Sequence, residues 1–478
     1  MEDIRMRNLI VSIFFISALA LSSAHVFSQA RRVTQQPAAA LADNRTASAL
    51  YDDAAGYTAR KFQEFASKKV PYDTKLLEKT VQEQKELAAR HAALLNARPN
   101  LTNDDLYYLG LLYNLSANEE RTLEVLKRYL EKDKDAAGER QQYARYLFTV
   151  RAAQNNRLAD AEAVLGDYLR LEPRKPTERA TMENTLARAY HKSKQLERAA
   201  LHAEEAFKVA KTLQPNSKNS SADRLLLTSG NALVDIYREL NKPAEAGVAV
   251  FEEIRTLAVA APSARLYVDS TEKLADLLID SKRKADAVKT VADAIAYTKQ
   301  SIKPEEQGFV LRALERKQRQ LRLQGELAPE ITIGKWIEQS PLKISSLRGR
   351  VVLLDFWATW CGPCLAAFPH LKEWHEKYKD QGLVILGITT YYGGRGSGRE
   401  MTPAEELGYI ARFKKEHDLP YGVAVTDNDS NHRNYGVSAI PTAILIDRHG
   451  VIRLMTTGSG GGNEAEISAA IEKLIGEK

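Results

Sequence analysis

The chain has 478 residues, too many for one ordinary domain, so two or three are expected. Its 44% hydrophobic and 27% charged content is that of a globular protein. A net charge of +6, with no basic stripe, gives no argument for nucleic-acid binding.

Arg5 and Arg7 precede an apolar run from Leu9 to Leu21, and small-residue cleavage patterns follow at Ser22-Ser23-Ala24 and Ser28-Gln29-Ala30. This layout predicts a secretory signal peptide over 1–30. The competing reading is an uncleaved anchor, but thirteen apolar residues fall short of the ~20 a spanning helix needs. No cysteine follows the run, which argues against a lipoprotein anchor, and no second apolar span occurs. The mature chain is therefore expected to be soluble and exported, to the periplasm or another extracytoplasmic space. Residues 31–48 read as a polar, small-residue linker.

From 49 to 324 glycine is sparse and apolar residues recur at helical spacing. A pattern repeats at offsets 0, 4, 13 and 17: Leu109, Tyr113, Thr122, Leu126; then Leu186, Tyr190, Ala199, Ala203; then Leu233, Tyr237, Ala246, Val250; then Leu274, Leu278, Ala287, Val291. A degenerate copy has Phe148, Ala152, Ala161 and Leu165. Two large residues one turn apart mark a first helix, and a small residue after a polar turn lets a second helix pack closely. Pro243 fits the first turn of such a second helix. The pattern resembles tetratricopeptide repeats, although the intervals of 39, 38, 47 and 41 residues exceed that family's ~34. A generic helical bundle is the alternative. Stacked hairpins present a concave surface, so a docked peptide or partner protein is the expected ligand. His91, His191 and His202 show no metal-ligand spacing and read as packing or surface residues.

Gly325 stops the last helix, Pro329 prevents its restart, and the hydrophobic period then changes. Residues 350–357 and 383–388 read as buried parallel strands, and 366–379 and 404–417 as helices. Residues 442–447 and 451–456 form a hairpin turning at Gly450, and 464–475 a closing helix. The order βαβαββα makes 325–478 an α/β module expected to fold alone.

The only two cysteines, Cys361 and Cys364, lie in this module. A zinc site lacks two further ligands. A structural disulfide across two residues closes almost no loop. A peroxidatic cysteine would have threonine three positions earlier, whereas Thr359 is two before Cys361. Dithiol–disulfide exchange remains: the pair follows a buried strand and opens a helix, whose N-terminus stabilises a thiolate. Pro363 is tolerated in that first turn. Cys364, one turn on, is placed to resolve a mixed disulfide. Neither a cofactor nor a metal is expected.

"VVLLDFWATWCGPC" with "YGVSAIPTAILIDRHG" resembles the thioredoxin superfamily, and the stretch beginning at "GELAPEITIGKW" is similar to its exported TlpA/ResA-like thiol-disulfide reductases. The resemblance covers 325–478 and implies a thioredoxin-like fold, so the whole chain reads as an all-α repeat domain followed by an α/β domain. It implies Cys361 as attacking thiol, Cys364 as resolving thiol, and Pro441 as the cis-proline facing them. Asp355 matches the buried carboxylate that takes the resolving thiol's proton. Trp360, Gly362, Pro363, Ile440 and Thr442 are the implied substrate-binding residues, with Trp357 also flanking the site. Some such reductases have glutamate three residues after the second cysteine; here that position is Ala367, leaving Asp355 alone.

With no third thiol the chain cannot relay electrons internally. It must draw them from an external, membrane-linked donor and pass them to protein disulfides. The resemblance implies a reductant. A scaffold using its thioredoxin module as an interaction surface is the alternative function. The glycine-rich 391–400 follows a strand, has no phosphate-loop pattern, and reads either as a substrate rim near Cys361 or as a plain insertion.

Overall fold

The computed structural model describes residues 44–70, 74–214, 220–459 and 463–477. The expected signal peptide and residues 31–43 of the linker lie outside them. The chain divides into two compact units after Leu213. The first contains α1 (Ala47–Ala55), α2 (Tyr57–Ser67), α3 (Thr74–Asn96), α4 (Asn103–Leu115), α5 (Glu119–Glu131), α6 (Glu139–Gln154), α7 (Leu158–Arg170), α8 (Pro176–Lys192) and α9 (Leu196–Lys211). The second opens with α10 (Ser220–Glu239), α11 (Ala244–Ala260), α12 (Ala264–Asp280), α13 (Lys284–Ser301) and α14 (Pro304–Leu323).

Each of the five sequence copies is a helical hairpin, and all five turn in the same way. The offset-4 residue (Tyr113, Ala152, Tyr190, Tyr237 or Leu278) gives its carbonyl to the N–H five residues on, at 2.7–3.0 Å. The residue just before that donor is left-handed: Ala117, Asn156, Lys194, Asn241 and Lys282 have φ of 53–61°. This satisfies the terminal carbonyls of each first helix. The leading residues Leu109, Phe148, Leu186, Leu233 and Leu274 are buried, as are the offset-17 residues. The third copy departs slightly. Ala246 is only half-buried, and the close approach is made by buried Gly247, where a Cβ would stand 3.3 Å from Val234. Pro243 is the N-cap of α11 rather than a residue of its first turn.

The α/β module follows in the second unit: β1 (Lys335–Ile337), β2 (Val351–Phe356), α15 (Gly362–Tyr378), β3 (Leu383–Thr390), α16 (Pro403–Glu416), β4 (Gly422–Thr426), α17 (Ser430–Asn434), β5 (Thr442–Ile446), β6 (Ile452–Thr457) and α18 (Asn463–Gly476). The sheet order is β1-β4-β3-β2-β5-β6. Strand β3 runs parallel to both β2 and β4, while β1, β5 and β6 pair antiparallel. The expected strand order thus lacked β1 and β4. The first is a three-residue edge strand, and the second a five-residue run too short to show a period.

Every residue of β2 is buried, because both faces of the sheet are covered. On one face Val351, Leu353 and Trp357 join Phe368 and Leu371 of α15, Phe413 of α16 and Ile471 of α18. On the other Val352, Leu354 and Phe356 join Ile344, Tyr435 and Val437, with Leu323 at the end of α14 packed against them. The alternation follows from the two-residue period of a strand. Gly450 turns the β5–β6 hairpin at φ 78°.

Candidate functional site

Strand β2 delivers the chain to the cysteines. Beyond it the Trp357 N–H donates to Ile388 O at 3.0 Å and the Cys361 N–H to Ala358 O at 3.1 Å, which fixes the turn into α15. Cys361 is the N-cap of α15, and its Sγ accepts the Cys364 N–H at 3.2 Å. The two cysteines form a disulfide, with Cα atoms 5.2 Å apart. Pro363 occupies the first turn, where its missing N–H costs nothing. Unpaired N–H groups and the helix dipole at this end favour negative charge on the Cys361 sulfur. Gly362 and Pro363 are exposed, while Cys361 and Cys364 are buried at 4% and 1% exposure. Trp360 and Ile440 pack against the hydrophobic cluster that contains both cysteines.

Asp355 sits between Leu354 and Phe356 and is 3% exposed. The strand period turns it to the face that carries Leu353, Trp357 and both cysteines. Its strand neighbours are Gly387 and Ala443, which offer no polar side chain. Among the described residues its Oδ2 has no hydrogen-bond partner. Burial pushes its carboxyl up to about 7, so it exchanges a proton near neutrality.

Ile440–Pro441 is a cis peptide bond, as expected; a second, Glu172–Pro173, was not anticipated. Pro441 and Thr442 are buried and Ile440 half-buried. Ile440 packs against the clusters on both faces of the sheet, including the one containing the cysteines. The Thr442 hydroxyl donates to Ala439 O at 2.8 Å and closes this corner.

The segment 391–400 lies against the site. Tyr392 meets Trp360 edge to face at 5.3 Å, and the Arg395 guanidinium stands 4.0 Å over the Trp360 ring. Gly396, at φ 81°, makes this approach possible, since a Cβ there would come 2.5 Å from Trp360 Cβ. Buried Glu406 anchors the loop by accepting the N–H groups of Tyr392 and Gly393, each at 2.9 Å. Arg399 is engaged by Glu405 at 3.0 Å. Arg395 is exposed and has no carboxylate partner among the described residues.

Three residues of this site were not singled out from sequence. Tyr421 is buried, its hydroxyl has no partner among the described residues, and burial followed by the charge of Asp355 raises its pKa. Gly387 leaves room for Trp357, since a Cβ there would meet its Nε1 at 2.8 Å. Glu406 could have been suspected from "TPAEE", which opens α16 with a capping box between Thr402 and Glu405. Ala367 is half-buried and carries no acid–base group.

Residues 323–471 match the Redoxin family. The chain is 33% identical over 143 residues to the protein DipZ of Mycobacterium bovis, covering 29% of this chain and 19% of DipZ. It is 30% identical over 129 residues to the thiol-disulfide oxidoreductase ResA of Bacillus thuringiensis, covering 27% of this chain and 66% of ResA. The crystal structure of a thiol-disulfide isomerase from Corynebacterium glutamicum is 21% identical, with a TM-score of 0.28 and coverage of 32% of this chain and 98% of the other. All of these matches fall short of half of this chain, and the chain spans less than two thirds of either curated relative.

Proposed function

Because its C-terminal domain belongs to the thioredoxin superfamily, we propose that this chain is an exported thiol-disulfide oxidoreductase that reduces disulfides in partner proteins. The observation that carries the reading is the disulfide between Cys361, at the N-cap of α15, and Cys364 one turn later. That state is the product of one turnover.

In the reduced chain the Cys361 thiolate attacks one sulfur of a substrate disulfide. A mixed disulfide forms, the substrate S–S bond breaks, and the first substrate sulfur leaves as a thiolate that takes up a proton. The Cys364 thiol gives its proton to the Asp355 carboxylate and attacks the Cys361 sulfur. The second substrate thiol is released, and the Cys361–Cys364 bond re-forms. Two electrons pass from protein to substrate, and an external dithiol returns them. The carboxyl of Asp355, near pH 7, can accept this proton at neutral pH and release it again.

Export rests on the N-terminal sequence; among the described residues no helix is long and apolar enough to cross a membrane. The helical hairpins serve to hold a partner and raise its effective concentration at Cys361, a reading that rests on their repeated geometry. Trp360, Gly362, Pro363, Ile440 and Thr442 form the cradle for the substrate segment, a reading supported by the exposure of Gly362 and Pro363 between the cysteines and by the packing of Trp360 and Ile440 against the cluster that holds them. Insulin reduction with dithiothreitol as donor tests the activity. The full chain is expected to accelerate B-chain precipitation, and Cys361→Ala to abolish the acceleration. A full chain no faster than dithiothreitol alone contradicts the reading and favours a pure interaction module.

A further inference from the structure

The corner bearing Ile440–Pro441 is held from outside the α/β module. Arg316, Arg319 and Gln320 stand at i, i+3 and i+4, one face of α14. Arg316 Nη1 donates to Ser438 Oγ at 2.9 Å, and Arg319 Nη1 to Arg433 O at 2.9 Å. Gln320 Nε2 reaches Gly436 O at 3.4 Å. Gly436, at φ 66°, lets the segment close on the helix; a Cβ there would lie 3.4 Å from Gln320 Cγ and 3.5 Å from Arg319 Cβ. The same helix is clamped to α12, Arg316 by Glu272 and Lys317 by Asp276. One guanidinium therefore touches a carboxylate of the helical arm and the residue two positions before Ile440.

We propose that α14 is part of the exchange site and that Arg316 is a positioning residue, setting the Ile440–Pro441 edge through Ser438. This rests on the thiol-disulfide reading above and adds a control to it. The hairpin of α12 to α14 fixes how a protein disulfide is presented to Cys361, so whatever shifts α14 against α12 changes the rate of exchange. The alternative weight for these bonds is that of exposed surface pairs, which contribute little. Three donors converging on six consecutive residues, with a left-handed glycine at the point of contact, argue for a built joint.

A protein substrate needs the edge held in place, whereas a small dithiol attacking the Cys361–Cys364 bond does not. In the full chain, Arg316→Ala and Ser438→Ala are each expected to lower kcat/KM for insulin on the order of tenfold, the weight of one charge-assisted hydrogen bond. The double variant should be no slower than Arg316→Ala alone, because Ser438→Ala removes a bond that Arg316→Ala already lacks. The rate at which dithiothreitol reduces the chain's own disulfide should not change. Lys317→Ala, which breaks the pair with Asp276 and loosens α14 against α12, should slow insulin reduction by less than Arg316→Ala does and leave the dithiothreitol rate unchanged.

Ser438 is exposed, so its variant folds even where Arg316→Ala does not. Wild-type activity in Ser438→Ala, additive losses in the double variant, or equal slowing of the dithiothreitol reaction overturns the inference alone. A wild-type chain that does not reduce insulin overturns the underlying reading, and the inference with it.

Discussion

Replacing Asp355 by Asn in the oxidised chain isolates the cost of one buried carboxylate, since no thiol then titrates. Burial holds the folded carboxyl near 7, against about 3.9 in an unfolded chain. Between those values the folded chain binds more protons than the unfolded one, so this group makes stability fall as pH rises. Above about 7 the penalty is constant. Roughly three pKa units at 1.36 kcal/mol each give a ceiling of about 4 kcal/mol. The amide of Asn also lacks partners there, which offsets about 1–3 kcal/mol of the gain. Near pH 4 the variant should be less stable than the wild type by about 1–3 kcal/mol, and near pH 8 more stable by about 1–3 kcal/mol. All four tryptophans lie in the α/β module, at Trp336, Trp357, Trp360 and Trp374, so urea unfolding followed by tryptophan fluorescence reports on this module. A stability difference that stays flat from pH 4 to 8 would refute the assignment of a raised carboxyl to Asp355. The reduced variant should also resolve mixed disulfides more slowly near neutral pH.

In the reduced chain, iodoacetamide near pH 6 should label Cys361 well before Cys364, because Cys361 is the N-cap sulfur; equal rates in peptide mapping would count against the assignment of roles. Glu406→Ala removes the acceptor of two loop N–H groups, so trypsin should cut after Arg395 and Arg399 several-fold faster than in the wild type; unchanged cleavage would mean the loop is held by its contact with Trp360 alone. Gly387→Ala forces a methyl against Trp357 Nε1 and should cost about 1–3 kcal/mol in urea unfolding. An unchanged midpoint would show that Trp357 yields freely.

The elements legible in the sequence are those whose burial leaves a run or a period. Strands β2 and β3 read as apolar runs because both faces of the sheet are covered, and the hairpin of β5 and β6 announces itself through Gly450. The helical hairpins were legible as a spaced pattern, but their turns were not. The left-handed positions hold Ala, Lys and Asn rather than the glycine that would mark a helix end. In the site, the cysteine pair fixes the start of α15, and a carboxylate within an apolar strand singles out Asp355. Tyr421 and Gly387 were invisible because their roles depend on register across β2, β3 and the segment before β4. The grip of Arg316, Arg319 and Gln320 on 433–438 reads in the sequence as an ordinary solvated helix face. Only the fold brings those residues against a segment more than a hundred positions away.

In the proposed exchange Cys361 attacks a protein disulfide and Cys364 resolves the product. Intact-mass spectrometry of reduced Cys364→Ala mixed with insulin tests it directly. An adduct of the chain with one whole insulin molecule, joined through Cys361 and released by dithiothreitol, is expected, and no adduct from Cys361→Ala. An adduct that forms on Cys361→Ala through Cys364, or none on either variant, would contradict it.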